Sequence, residues 1–293
     1  MSKPIRLNPE CIRCLVKGRM DSPPEGVTKE KQIEYMQKLL GLIANAPKDM
    51  SAPVVVRDVE ALEKEMFGLE KDYTDIKIHF NNLMLSKEER MMKELKDSED
   101  SLKLAVQFAM MGNYIDFGAF QSIDEDKLEE FLQGAKDIEL RQNEYDNLKE
   151  DLKKAKRILY LTDNCGEIVT DKILVRIMKK MNPDAELTVM VRGAKVLNDA
   201  TMEDAVQVGM TEIARVVGNG SNIAGTWIPD LSLEARQLMS EADVIIAKGQ
   251  GNYECLQMWG YNVYYIFMCK CDMFAERFGV EKFTGMLVNE KNI

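Results

Sequence analysis

Arg157-Ile-Leu-Tyr-Leu-Thr-Asp163-Asn164-Cys165-Gly166-Glu167-Ile168 is the stretch that decides the fold. Ile158 to Leu161 form an unbroken apolar run, the pattern of a strand covered on both faces of a parallel sheet. The run ends at two oxygen-bearing side chains, Asp163 and Asn164, and a helical pattern starts near Glu167. In open α/β sheets ligands bind just outside the carboxyl ends of the strands. A hard metal ion prefers oxygen ligands, so an acid and an amide at this position are candidate donors. Capping of the following helix by Asp163 or Asn164 accounts for the same residues equally well.

Downstream of this stretch the alternation repeats. Further strands are expected at Glu186–Val191, Ile213–Val217, Val244–Ala247, Val263–Phe267 and Met286–Val288, with helices at Ile168–Met181, Met202–Gln207 and Leu231–Glu241. Strands alternating with helices predict an α/β fold, a three-layer α/β/α sandwich around a mostly parallel sheet. Upstream, residues 1–150 show amphipathic helical patterns and no convincing strand series. Thr28 is placed to cap a helix running through Leu40, Tyr73–Leu95 and Asp97–Met111 read as two further helices, and Asp124–Leu132 and Leu140–Lys156 as two more. The expected organisation is a helical domain over 1–150 and an α/β metal- and phosphate-binding domain over 151–293.

Composition narrows the function. The chain has 293 residues, 45% hydrophobic and 30% charged, enough for a sizeable core. A net charge of −10 argues against a nucleic-acid binder that relies on counterion release. No apolar run reaches the length of a membrane span and Met-Ser-Lys-Pro is not a signal-peptide start. The six cysteines form no dense disulfide framework and are expected to be reduced. A cytoplasmic protein that engages neither membrane nor nucleic acid is the reading. The single histidine, His79, rules out histidine-rich zinc sites and would have to carry any Ser-His-Asp triad alone.

Three more strand ends carry polar or glycine-rich turns: Arg192-Gly-Ala-Lys-Val-Leu-Asn198-Asp199-Ala200, Gly218-Asn-Gly220-Ser221-Asn222, and Lys248-Gly249-Gln250-Gly251-Asn252-Tyr-Glu254. Singly these are ordinary turn signals. Along one rim they combine carboxylates for a divalent cation, a lysine, and amides that can approach phosphoryl oxygens. Neither G-x-x-x-x-G-K-[ST] nor a strand followed by G-x-G-x-x-G is present. A haloacid-dehalogenase-type phosphatase would place a second acid two residues after the first, and that position is Cys165.

Asp163-Asn164-Cys165-Gly166-Glu167, Asn198-Asp199-Ala200 and Lys248-Gly249-Gln250-Gly251-Asn252 occur in the order and context of the damage-control phosphatases, once called domain of unknown function 89. Gly112-Asn113-Tyr114-Ile115-Asp116 and Lys270-Cys271-Asp272 also resemble family segments, and Cys11-Ile-Arg-Cys14 resembles the stand-alone microbial branch with a CxxC. The resemblance spans nearly the whole chain. It implies a metal-dependent phosphatase acting on small phosphorylated metabolites such as sugar or cofactor phosphates. By that similarity Asp163, Asn164 and Asp199 would bind the metal (manganese, nickel, cobalt or magnesium) and Lys248 would contact the phosphate. Gln250 departs from some eukaryotic relatives, which carry aspartate there, and this bears on substrate choice.

In the mechanism expected from this set, Asp163 is either a nucleophile or only a ligand. Lys248 and the amides around Gly220-Ser221 or Gly249-Gly251 offset charge on the equatorial oxygens. Glu167 is a base or, more in keeping with a helix start, a favourable dipole partner. Asn252, Glu254 and Asp116 are rim or substrate-side candidates with equally good readings as turn or cap. Cys11 and Cys14 read as ordinary thiols or as regulatory thiols near the site. Two other classes share parts of this pattern: a non-catalytic module that binds a sugar phosphate or nucleotide, and an S-adenosylmethionine-dependent methyltransferase. The latter calls for a glycine-rich turn after the first strand, where only Gly166 stands.

Overall fold

Ile158–Leu161 lie in strand β1 (Arg157–Leu161), whose last four residues are all buried, as a doubly covered strand requires. The computed structural model describes residues 7–24, 26–68, 72–113, 130 and 132–293. Asp116 and most of the helix expected at Asp124–Leu132 lie outside the described residues.

Among the described residues the helices α1 (Pro9–Asp21), α2 (Lys29–Asn45), α3 (Ala52–Phe67), α4 (Thr74–Asp97) and α5 (Ser101–Gly112) come first. Asn8, Thr28 and Asp100 cap three of them by accepting a hydrogen bond from the backbone N–H of the third helical residue. Helix α6 (Gln142–Lys154) leads into β1. The alternating part continues with α7 (Glu167–Met181), β2 (Glu186–Val191), α8 (Met202–Gln207), β3 (Arg215–Gly218) and α9 (Leu233–Glu241). It ends with β4 (Val244–Lys248), α10 (Gly249–Leu256), β5 (Val263–Met268), α11 (Asp272–Phe278) and β6 (Gly285–Asn289). The third strand starts later than its apolar residues suggest because Met210–Glu212 form a short 3-10 turn that carries Ile213 past the sheet edge. Gly249-Gln250-Gly251, expected as a turn, is the first turn of α10.

The six strands lie in the order β3-β2-β1-β4-β5-β6. All neighbours are parallel except β5 and β6. Alternate residues feed two cores. Ile158, Tyr160, Val189, Ile246 and Ile266 pack with α4, α5 and α7 through Met84, Phe108 and Ile173. Leu159, Leu161, Ile245, Tyr265 and Phe267 pack on the other face against Met239 of α9, Tyr253 of α10 and Phe274 of α11. These are the three layers of an α/β/α sandwich. The first core does not stop at residue 150, because Tyr145, Leu148 and Leu152 of α6 share it with the strands. A separate cluster around Leu39, Val55 and Val59 joins α1, α2 and α3 into a smaller helical unit.

The strand order reverses direction at β1, with β2 on one side and β4 on the other. A crevice forms at such a switch point, outside the carboxyl ends of the strands. Asp163 follows β1 and Lys248 ends β4, so the decisive stretch faces that crevice.

Candidate active site

The backbone first brings two distant turns together. Asn164 and Asp199 form an isolated antiparallel bridge. The N–H of Cys165 donates to Asn198 O at 2.8 Å and that of Ala200 to Asp163 O at 2.7 Å. The turn after β1 and the one after β2 are thereby stitched edge to edge, and Asp163, Asn164 and Asp199 share one site.

Arg192, the residue just after β2, ties the two acids together. Its Nε donates to Asp199 Oδ2 at 2.6 Å and a terminal nitrogen lies 3.4 Å from Asp163 Oδ1. The other terminal nitrogen donates to Asn252 Oδ1 at 3.1 Å. Asn252 also accepts from Thr226 Oγ1 at 2.7 Å and donates to the carbonyls of Thr162 and Lys248 at 3.1 and 2.6 Å. It therefore fixes the guanidinium and joins the ends of β1 and β4. Beside Asp163, Gly249 has φ +78° and its missing side chain would collide with the Asp163 carboxylate. Glycine at 249 lets that acid lie against the amino end of α10, a favourable place for an anion.

The opposite side of Asp163 is a second acid group. Asn113 Nδ2 donates to Asp163 Oδ2 and to Glu167 Oε2, both at 3.0 Å, and its Oδ1 accepts from the Met268 N–H at 3.0 Å. Asn164 Nδ2 repeats the pattern at 2.8 and 3.0 Å. Lys248 lies behind Glu167. Its ammonium donates to Glu167 Oε1 and Asp171 Oδ1 at 2.6 Å each and to Ala109 O at 2.9 Å. Those three bonds use all its hydrogens, and the side chain is 0% exposed. Lys248, expected to contact phosphate, is engaged here by Glu167, Asp171 and the Ala109 carbonyl.

The electrostatics follow from these contacts. Burial and the charges of Asp199 and Glu167 push the Asp163 carboxyl well above the usual range, against Arg192 and Lys270. Asp199 is likewise raised, first by burial, although Arg192 opposes this. Glu167 is held below its ordinary value despite burial, because Lys248 and the Asn113 amide favour its ionised form. Asp171 is pushed up to about 7 by burial and by Glu167, with Lys248 acting the other way. Glu167 thus sits at a helix start as a paired anion, which favours the dipole-partner reading over a base.

Other expected residues have other partners. Ser221 Oγ donates to Asp230 Oδ2 at 2.9 Å and accepts from the Ile223 N–H at 3.2 Å. Gly220, at φ +81°, packs against Ser232 and the backbone of Gly193. Gly251 packs against Ala224 O. Gly220 and Ser221 shape a loop, and Gly251 lets α10 approach the Ala224 backbone. Glu254, on α10, is half-buried, and its Oε2 has no hydrogen-bond partner among the described residues. Asp116 lies outside them.

Arg192, Asn113 and Thr226 were not picked out from the sequence as site residues, nor was Lys270 assigned a role. Lys270 is partly accessible and its positive charge lowers the pKa of both Asp163 and Glu167. It follows β5 in the Lys270-Cys271-Asp272 segment. The Cys11 thiol, pushed up to about 11 by burial, feels Glu254 and Cys271, so α1 reaches the same end of the sheet.

The donors fit a hard cation in kind. Among the described residues no three histidine, cysteine or acid side chains are grouped as a metal cage; the candidate set is two carboxylates and one amide. Magnesium-type sites commonly use one or two carboxylates and leave the remaining positions to water and substrate phosphate. Burial raises the Asp163 carboxyl first and repulsion from Asp199 and Glu167 adds to it; a cation between these acids would relieve that repulsion.

A doubly wound α/β/α sandwich with an acid-rich oxygen-donor site at its switch point defines a class of crevice-bearing α/β proteins. Within it, the chain belongs to the damage-control phosphatase ARMT1-like domain family, whose model matches residues 7–285. It is similar to a damage-control phosphatase of Pyrococcus horikoshii, 30% identical over 287 residues covering 97% of each chain. A damage-control phosphatase of Archaeoglobus fulgidus is 29% identical over 283 residues, 94% of this chain and 96% of that one. An uncharacterized protein of Methanocaldococcus jannaschii is 32% identical over 294 residues, 97% of this chain and 95% of that one. The crystal structure of a domain-of-unknown-function-89 protein from Pyrococcus horikoshii superposes with a TM-score of 0.80 at 24% identity, over 98% of this chain and 99% of that one. It shares the fold. Among the described residues no helix is long and apolar enough to cross a membrane.

Proposed function

We propose that this protein is a metal-dependent phosphomonoester hydrolase acting in the cytoplasm on small phosphorylated metabolites, sugar or cofactor phosphates among them. Family membership supports the phosphatase class. The observation that carries the metal reading is the bridge that sets Asn164 against Asp199 and brings both beside Asp163 at the switch point. Asp163, Asn164 and Asp199 would hold manganese, nickel, cobalt or magnesium. When bound, such a cation supplies Lewis-acid polarisation of a phosphoryl oxygen.

The chain's own groups do the rest. Arg192 holds Asp199 and Asp163 at a set separation and offsets part of their charge. Asn113 orients the Asp163 carboxylate through Oδ2. Lys270 places positive charge near Asp163 on the accessible side, where the anionic substrate approaches, and takes the role expected of Lys248. Lys248 keeps Glu167 ionised and still. Asp163 borders this space as either a ligand or a nucleophile.

The test is phosphate release from a panel of phosphomonoesters by metal-stripped protein given each of the four cations. Asp163→Ala and Asp199→Ala are assayed alongside. Metal-dependent release that falls by about 10³-fold or more in both variants is expected. Folded protein that binds sugar phosphates yet releases none with any cation is a binding module instead, and the enzyme reading fails.

A further inference from the structure

The two turns that bear the candidate ligands are gripped from outside by side chains of α4, far away in sequence. Lys77 and Asn81 lie one helical turn apart and are both buried, so they share a face. Asn81 Oδ1 accepts the Gly166 N–H at 2.6 Å, which fixes the amide's orientation, since a backbone N–H only donates. Asn81 Nδ2 then donates to Asp204 Oδ1 at 2.9 Å and to Gln207 Oε1 at 2.8 Å. Lys77 pairs with Asp204 Oδ2 at 2.7 Å and donates to the Asp199 carbonyl at 2.8 Å. Asp204 in turn accepts from the Thr201 N–H and hydroxyl, both at 2.8 Å, closing the capping box of α8.

The result is a continuous strap. One end holds Gly166, inside the turn of Asp163 and Asn164. The other holds the backbone of Asp199. Asp204 joins the two ends. Gly166 sits at φ +70°, a backbone conformation whose shape must be held by its surroundings. Among the described residues none of the three strap side chains hydrogen-bonds the Asp163, Asn164 or Asp199 side chain, although the Lys77 charge acts on the Asp199 carboxyl, and a buried lysine–aspartate pair is weak evidence for stability by itself.

We propose that Lys77, Asn81 and Asp204 are positioning residues that set the separation of the Asp163-Asn164 pair from Asp199 and so tune cation affinity. The proposal rests on the metal reading above. A ligand set with only two carboxylates and an amide depends on spacing, because a rigid octahedral ion tolerates little error in donor positions. Outer residues that orient metal ligands typically contribute 10–100-fold in affinity or activity.

The experiment is isothermal titration calorimetry of metal-stripped full-length protein with Mn²⁺, beside phosphate release as a function of Mn²⁺. The variants are Asn81→Ser, Lys77→Gln, Lys77→Arg and Gln207→Ala, each checked for folding by circular dichroism. Asn81→Ser and Lys77→Gln should each weaken Mn²⁺ binding by about 10–100-fold. Their activity should recover as Mn²⁺ is raised to saturation. Lys77→Arg, which keeps the charge opposite Asp204, should restore most of the affinity. Gln207→Ala removes a partner of the Asn81 amide that touches neither turn, and should stay within about twofold of the parent. Because Asn81 and Lys77 act on different turns, either folded variant decides the matter. Wild-type affinity in a folded Asn81→Ser or Lys77→Gln protein overturns the proposal. Parent protein that binds none of the four cations overturns the metal reading, and the strap's role with it.

Discussion

Two acid pairs flank the same turn, and each shares one cation. Asp163 and Asp199 share Arg192; Glu167 and Asp171 share Lys248. The difference lies in closure. Lys248, Glu167 and Asp171 are all 0% exposed, and the ammonium has no hydrogen left to donate. Asp163 keeps 9% exposure, stands near the charge of Lys270, and has its carboxyl raised well above the usual range. One pair is sealed from solvent, although Asp171 Oδ2 has no partner among the described residues. The other borders the crevice, the condition expected of a site built to receive a cation and an anionic substrate.

The largest expected effect comes from opening the sealed pair. Lys248→Met leaves two acids buried without their cation. It should destabilise the fold by about 3–5 kcal/mol, measured by urea denaturation. A loss of phosphate release with unchanged stability would instead restore Lys248 to direct substrate contact.

Neutralising the open pair should do the reverse to stability. The fold disfavours an ionised Asp163, so Asp163→Asn removes that penalty while keeping an oxygen that can accept from Asn113. Without metal, its melting temperature should rise, by roughly 2–4 °C for a gain near 1 kcal/mol, while phosphate release is lost. A melting temperature that falls as far as that of Lys248→Met would erase the contrast between the pairs.

Much of this was legible in the chain because it rests on local pattern. Apolar runs such as Ile158–Leu161 and Val263–Phe267 announce strands covered on both faces, and Glu186–Val191 and Met202–Gln207 fall where they were expected. Family resemblance put Asp163, Asn164 and Asp199 in one set, and the backbone bridge between Asn164 and Asp199 does bring their two turns together. What was not legible depends on partners far off in sequence. Lys248 ends one strand and Lys270 follows another, and nothing local says that the first is buried against Glu167 and Asp171 while the second stays partly accessible. Arg192 reads as an ordinary strand-end residue until Asp199 folds back onto it. Asn81 is 85 residues from Gly166, whose N–H it accepts. Gly249-Gln250-Gly251 suggested a loop because glycine disfavours helix, yet close approach to Asp163 and Ala224 requires glycine there.

Glu254 sharpens the comparison from its far end, as a half-buried acid with no cation paired to it among the described residues. Burial alone pushes its carboxyl up to about 8, and Oε2 has no partner among the described residues. The folded chain therefore keeps a proton on Glu254 over a pH range in which the unfolded chain, titrating near its ordinary value of about 4.3, has lost it. Across that window the native state binds more protons, so this group's contribution to stability is complete below about pH 4 and declines as pH rises towards 8. Glu254→Gln keeps the shape and removes the titration. The melting temperature of the variant, compared with the parent, should be nearly equal at about pH 4.5 and higher by on the order of 2 °C at about pH 8.5. A difference that stays flat between those limits would show that Glu254 is ionised throughout. It would then belong with Glu167, as an acid whose cation is supplied in solution by a group outside α10.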